Sequence, residues 1–256
     1  RGAGYLPGNT SMRVEGGTSQ LVRALAGLLP QEQMHLNAEL KAVHLEEQGV
    51  RLVFADTPGQ LPVYSHIWLA LPPRLVARIQ FSPSLPEQNV QQLTAVPTWM
   101  AAHSKYVARY STPFWREARL SGDAFSRIGP LAEIHDACNE QGAALFGFFG
   151  VNAAQRAGLS ASELKAACRV QMVRLFGEQA AEPIEDFVYD WAADPYTATA
   201  QDRVSSGEHG SLDSGFAFAP PWTGRVQLIG SEAAVEQGGY MEGALAAVER
   251  VLAGLK

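Results

Sequence analysis

The chain has 256 residues, 46% hydrophobic and 18% charged, enough apolar material for one large folded core or two smaller ones. Twenty Lys and Arg against 26 Asp and Glu give a formal net charge of -6, with no basic run to neutralise a phosphate backbone, which argues against nucleic acid as a partner. The longest uncharged stretch near the middle, 142–155, is shorter than the ~18 apolar residues of a bilayer span and is interrupted by Gly147, Gly150 and Asn152, so no membrane partner is expected.

Arg1-Gly2-Ala3-Gly4 opens the chain without an apolar or amphipathic leader, so no targeting peptide is expected. After Glu15-Gly16-Gly17-Thr18, the spacing of Leu21, Leu25, Leu28 and Leu29 predicts an amphipathic helix with Thr18 as N-cap and Pro30 as stop. From Met34-His35-Leu36 onward, short strand-like pieces follow at 40–45, 50–54 and 63–71, with turns at Gln48-Gly49 and Thr57-Pro58-Gly59. They predict an antiparallel meander whose last strand becomes continuously apolar and ends at Pro72-Pro73.

A helix is expected over 85–96, strands over 105–110 and 144–150, and a strong helix over 160–176 with Ser160 and Glu163 in a capping-box pattern. In that helix Leu164, Ala167, Cys168, Met172 and Leu175 are expected on the buried face, so Cys168 reads as a packing residue. Cys138 and Cys168 show neither a CxxC pattern nor metal-ligand spacing to a histidine, and no metal site is expected; a reduced, cytoplasmic setting fits best. Residues 186–191 predict another strand and 194–220 a long loop of the kind that carries function. None of the six histidines, His35, His44, His66, His103, His135 and His209, sits in a catalytic motif, and each reads as a surface or satisfied core residue.

The end of the chain is the best-defined unit: a buried strand at 225–230, a Gly-rich loop, then a helix opening at Gly239-Tyr240-Met241-Glu242-Gly243. A helix that starts at glycines after a strand presents free backbone N–H groups and the positive end of its dipole to an electron-rich ligand. Spacing alone leaves open the alternative that Gly238 and Gly239 merely let the helix pack on its strand.

Gly230-Ser231-Glu232-Ala233-Ala234 followed by Gly239-Tyr240-Met241-Glu242-Gly243-Ala244 resembles the closing signature of flavin-containing amine oxidases of the monoamine and polyamine oxidase type. Further matching pieces come in the family's order: Glu15-Gly16-Gly17-Thr18-Ser19-Gln20-Leu21, Ala70-Leu71-Pro72-Pro73, Phe81-Ser82-Pro83-Ser84-Leu85-Pro86, Lys105 with Pro113-Phe114-Trp115-Arg116, and Trp191 with Asp194-Pro195-Tyr196-Thr197. Members of this family begin with a strand, a GxGxxG turn and a helix that hold the FAD pyrophosphate. This chain has no such unit; Gly2-Ala3-Gly4 is followed at once by Pro7. The resemblance therefore implies a C-terminal portion of a longer oxidase, whose partner is the missing N-terminal dinucleotide-binding segment.

The fold implied is mixed α/β: part of an FAD-binding domain at 1–73 and 191–256, related to the glutathione reductase type, around a mixed-sheet substrate domain at 74–190. Carried over by position, the resemblance implies that the backbone near Leu40 meets adenine, and that Gly230, Ser231 and Glu232 run along the ribityl and pyrophosphate region. Gly239 and Met241 lie at the helix start, with the Met241 N–H toward the isoalloxazine carbonyl next to N1. Lys105 matches the lysine that holds a water near flavin N5, Trp191 packs close to the flavin, and Tyr240 walls the pocket for an amine-like substrate.

Two departures stand out. Where mammalian-type members place a cysteine for covalent flavin attachment this chain has Ala200, which implies non-covalent FAD; where they place a second cage aromatic it has Gln201. The activity implied is hydride transfer from a carbon next to nitrogen to flavin, with oxygen as electron acceptor. A flavin desaturase or dehydrogenase acting on a C–C bond, and a cofactor-free binding module, are the alternatives. An apolar face left for the missing unit also implies a tendency to form homo-oligomers.

Overall fold

The computed structural model describes residues 14–55, 62–205, 207 and 209–254. The turn expected at Thr57-Pro58-Gly59 and the opening residues through Pro7 lie outside the described residues.

Along the first part run α1 (Ser19–Ala26), β1 (Leu40–Glu46), β2 (Gly49–Phe54), β3 (Val63–Tyr64), β4 (Ile67–Leu69), α2 (Pro73–Val76), β5 (Gln80–Ser82) and α3 (Glu87–Ala95). β1 and β2 form a hairpin closed at Glu46↔Gly49, β3 adds antiparallel to β2, and β5 returns parallel to β1, giving the order β3-β2-β1-β5. Gly49 is required here: a Cβ would lie 1.9 Å from the Tyr64 carbonyl oxygen of the neighbouring strand. The expected meander thus holds for three strands.

Three local expectations need correction. Residues 63–71 are two strands rather than one, because β4 leaves the meander and pairs parallel with β11 (Val226–Leu228), Ile67 opposite Val226. Met34-His35-Leu36 forms no strand; it follows a 3-10 turn at Gln31–Gln33, and a short apolar piece without a ladder partner gains little from being extended. Thr18 occupies the N-cap position of α1 but has helical backbone angles, and its side chain caps nothing. The helix itself is present but ends at Ala26 with Gly27 as its C-cap, short of Leu28, Leu29 and the expected stop at Pro30; Leu21, Val22 and Leu25 on it, and Leu28 and Leu29 beyond it, are all exposed.

The middle part contains β6 (Ser104–Tyr110), α4 (Phe114–Glu117), β7 (Ala124–Phe125), β8 (Leu131–Asp136), β9 (Ala143–Phe149), α5 (Ala153–Arg156), α6 (Ala161–Phe176) and β10 (Glu185–Asp190). Its strands make an antiparallel sheet, β10-β6-β9-β8-β7. One sheet face packs Tyr106, Leu131, Ile134 and Leu145 against Leu164, Cys168 and Met172 of α6. The predicted capping box is formed: Ser160 Oγ accepts from the Glu163 N–H at 3.2 Å, and Glu163 Oε2 accepts from the Ser160 N–H at 2.8 Å. Ala167, expected on the buried face, is exposed, while Gln171 and Phe176 are buried. Gln171 satisfies both ends of its amide on the backbone N–H and C=O of Leu131, 2.8 Å each, and so ties helix to sheet.

After β10 come 3-10 turns at Trp191–Ala193 and Ala200–Arg203, then β11, a turn at Ser231–Ala233, and α7 (Met241–Ala253). β11 and the loop before it complete a second core with the first part, centred on the fully buried Trp222, whose ring meets Phe81 edge-on at 5.1 Å. Val76, Phe81, Leu93 and Val96, from the stretch just beyond residue 73, belong to this core and not to that of the antiparallel sheet. Asn89 of α3 fastens the long loop to it, accepting from the Ala219 N–H and donating to the Ala217 carbonyl, both at 2.9 Å.

Candidate active site

The free face of the antiparallel sheet is aromatic. Alternation along β6 turns Ser104, Tyr106 and Ala108 into the core and Lys105 to the other side, where Phe148 and Tyr189 are its cross-strand neighbours. The Lys105 ammonium lies 4.6 Å from the ring centre of Phe148, 5.5 Å from Phe146 and 5.7 Å from Trp191. Among the described residues it forms no ion pair, so its positive charge rests against π faces alone.

Trp191 reaches Lys105 because β10 ends one residue earlier. Its backbone N–H donates to the His103 carbonyl at 3.2 Å, its ring centre lies 4.9 Å from that of Tyr189, and Asp190 accepts from the Ala192 N–H at 3.1 Å. The buried Arg156 guanidinium grips Asp190 and also donates to the carbonyls of Ala102 and Val151. The turn that carries Trp191 is therefore anchored from below.

The expected cofactor segments lie near one another through Leu71. Leu40 and Leu71 line the same cleft of about 700 Å³, together with Leu75, Arg78, Pro195 and Tyr196. A Cβ on Gly230 would lie 3.2 Å from the Leu71 carbonyl oxygen. Ser231 Oγ donates to the buried carboxylate of Glu232 at 3.0 Å, and the Glu232 carbonyl accepts from the Leu212 N–H at 2.7 Å. Gly239, with φ +80°, turns the chain into α7, whose first residue Met241 is exposed and whose N-terminus has no side-chain cap. An uncapped start of this kind leaves N–H donors for a ligand.

Tyr240 stands apart from Lys105 and Trp191; among the described residues no ring contact joins them. Its neighbour is His209, stacked at 4.6 Å between ring centres and 21° between planes, and behind His209 lies Trp99, stacked at 3.7 Å. Nothing local in the sequence marks His209, expected there as a surface or satisfied core residue; its loop meets Tyr240 only in three dimensions.

Ala200 and Gln201 sit in the turn beside the buried Asp202. That carboxylate accepts from Arg74, from the Thr98 N–H at 3.0 Å, and from the Thr199 N–H and hydroxyl at 2.8 and 2.7 Å. Burial pushes its pKa up, but the Thr199, Thr98 and Arg74 donors outweigh burial and hold it below the ordinary carboxylate value.

Residues 5–251 match the model of the family described as flavin containing amine oxidoreductase. The chain belongs to that family. Flavin-containing amine oxidase B of Sus scrofa is 28% identical over 250 residues, covering 95% of this chain and 46% of the relative. Among solved structures, a redesigned putrescine oxidase is similar with a TM-score of 0.73 at 27% identity, over 94% of this chain and 52% of that one. Cyclohexylamine oxidase from Brevibacterium oxydans gives 0.69 at 25% identity, over 93% and 52%. The chain spans about half the length of these relatives. The mixed α/β fold is that of flavin amine oxidases, and membership makes the chain an oxidoreductase-family protein whose relatives are flavin-containing. Among the described residues no helix is long and apolar enough to cross a membrane.

Proposed function

We propose that this chain is the C-terminal portion of an FAD-dependent amine oxidase, contributing the substrate-facing sheet and the closing part of the cofactor site. The observation that carries the reading is Lys105, a cation held among the rings of Phe146, Phe148 and Trp191 with no carboxylate partner among the described residues. The residues present fit a flavin: the α7 start has no side-chain cap, so its backbone N–H donors and the positive end of its dipole suit the electron-rich edge of the ring.

When bound, FAD would accept a hydride from the carbon next to an amine nitrogen and pass the electrons to oxygen. This chain's share is positional and electrostatic. Met241 and the α7 dipole favour negative charge on the ring edge set before them. Lys105 holds protons at Nζ and donates to a water on the aromatic face, where Phe146 and Phe148 exclude bulk solvent. Trp191 and Tyr240 orient the amine, Leu40 offers its backbone to adenine, and Gly230, Ser231 and Glu232 border the ribityl and pyrophosphate stretch. The methyl group of Ala200 cannot form a thioether, so the flavin is held without a covalent bond.

In domain terms, 1–73 and 191–256, joined in one core by Val76, Phe81, Leu93 and Val96, contribute to the FAD-binding domain, and the antiparallel sheet and α6 within 74–190 form the substrate domain. An upstream dinucleotide-binding segment completes the cofactor site, and the exposed apolar face of α1 gives it a place to dock or, in its absence, a surface for self-association. Two cysteines 30 positions apart without a CxxC pattern suit a reducing, cytoplasmic setting.

The test is an absorption spectrum of the chain with added FAD, before and after the upstream segment is restored, followed by anaerobic addition of amine. Flavin bound by the restored protein and bleached by amine is the expected result. A restored protein that takes up no flavin overturns the reading. Bound flavin that amines leave oxidised, but an alkyl substrate without nitrogen reduces, moves it to a C–C desaturase, the alternative that Gln201 in place of a second ring favours.

A further inference from the structure

Tyr240 lacks its expected second ring at Gln201, but the fold brings in another. His209 lies flat on Tyr240, its Nε2 hydrogen-bonded to the Tyr240 hydroxyl at 3.1 Å, and Trp99 covers the other side of the imidazole. Gly239 makes the approach possible, since a Cβ there would lie 2.8 Å from His209 Nδ1 and 3.3 Å from Trp99 Cβ. The side chain of Tyr240 remains half-exposed beyond this stack.

A tyrosine at the mouth of a pocket turns about two torsions, and a substrate that uses its ring must meet the cost of stopping it. Stacking plus one hydrogen bond stops it in advance. The imidazole also fills the place a flat substrate group would need to be sandwiched between Tyr240 and another ring. We infer that His209 is a positioning residue that makes Tyr240 a one-faced platform, so that the site prefers linear aliphatic amines, laid on the outer face of Tyr240, over aryl amines. This rests on the reading that Tyr240 faces the amine.

The experiment uses the restored protein loaded with FAD, with n-butylamine and benzylamine as substrates. His209→Ala should raise KM for n-butylamine about fivefold with kcat little changed, the loss expected for one aromatic stack, and should improve the relative use of benzylamine. His209→Phe keeps the ring and should restore the n-butylamine KM; His209→Asn, without a ring, should not. In His209→Ala, free imidazole should refill the slot between Trp99 and Tyr240, changing tryptophan fluorescence saturably where the wild type shows no such change, and lowering KM again.

Unchanged KM in His209→Ala, or no saturable imidazole effect, overturns the inference. If His209→Ala does not fold, equal KM values for the Phe and Asn variants overturn it. The imidazole titration needs no turnover, so a stack that refills while no amine bleaches the wild-type flavin overturns the amine-oxidase reading, and the amine preference with it, but leaves the positioning of Tyr240 standing.

Discussion

Arg156 and Asp190 meet at two points, Nε to Oδ2 at 2.7 Å and Nη2 to Oδ1 at 2.8 Å, with the arginine side chain only 1% exposed. Asp190 in turn caps the turn that carries Trp191, accepting from the Ala192 N–H. Removing the arginine leaves a mostly buried carboxylate and two backbone carbonyls without their donor. Arg156→Ala should therefore cost about 3 kcal/mol or more, seen as a lower urea midpoint. An unchanged midpoint would show that the pair only decorates the turn.

Asp136 gives a pH signature. Burial pushes its pKa up, but donors from Arg116, Trp115 and the Cys138 N–H outweigh burial and lower it to about 2. Because the folded value lies below the unfolded one, this stabilisation is present in full above about pH 4 and is lost as the pH falls toward 2. Asp186, held low chiefly by Arg169 against its own burial, and Asp202 act in the same direction. Arg116 is half-exposed, so the Asp136 contribution is discounted to about 1 to 2 kcal/mol. Asp136→Asn should flatten that part of the stability curve between pH 4 and 2; a curve parallel to wild type over that range would refute the assignment.

Cys168 should be chemically silent. Burial, reinforced by the Asp186 charge, pushes its thiol up to about 12. Thiolate is therefore scarce at pH 8 and access is closed. Labelling with a disulfide reagent should modify Cys168 only after unfolding, at a rate that tracks denaturant; prompt labelling of Cys168 in the folded chain, read by peptide mass, would contradict the packing described.

Lys105 offers the most direct probe of the proposed chemistry. Lys105→Met keeps the aliphatic stem against Phe148 but removes the charge. In the restored, FAD-loaded protein, reoxidation by oxygen should slow by about a hundredfold, while reduction by amine changes far less. Equal slowing of both half-reactions would assign Lys105 to general packing of the site.

Some of this was readable along the chain and some was not. The capping box at Ser160 and Glu163 is local chemistry, and it formed as read. β8 is not legible in the sequence because a bulge between Leu131 and Glu133 breaks the two-residue alternation that marks a strand, leaving Leu131 and Ile134 three apart yet both buried. Family resemblance marks Lys105 and Trp191 in the sequence, but the strand register that brings Trp191 beside Lys105 is a long-range pairing of β6 with β10. His209 is silent in the sequence for the same reason: a histidine in a polar loop carries no mark of the ring it will rest on. The helical periodicity of α1 was legible, whereas its exposure was not, since a periodic stripe says what a helix can bury and not whether a neighbour is there.

The pairing of β4 with β11 sets an order of events during synthesis. Every strand of the antiparallel sheet, and α6 beneath it, leaves the ribosome before Val226 does, so that unit can close while the protein is still being made. Leu69 and its neighbours must wait for Leu228 with their apolar surface uncovered. A ribosome stalled between those two strands would hold a finished sheet beside an unfinished partner core, and that interval is when the nascent chain most needs a chaperone.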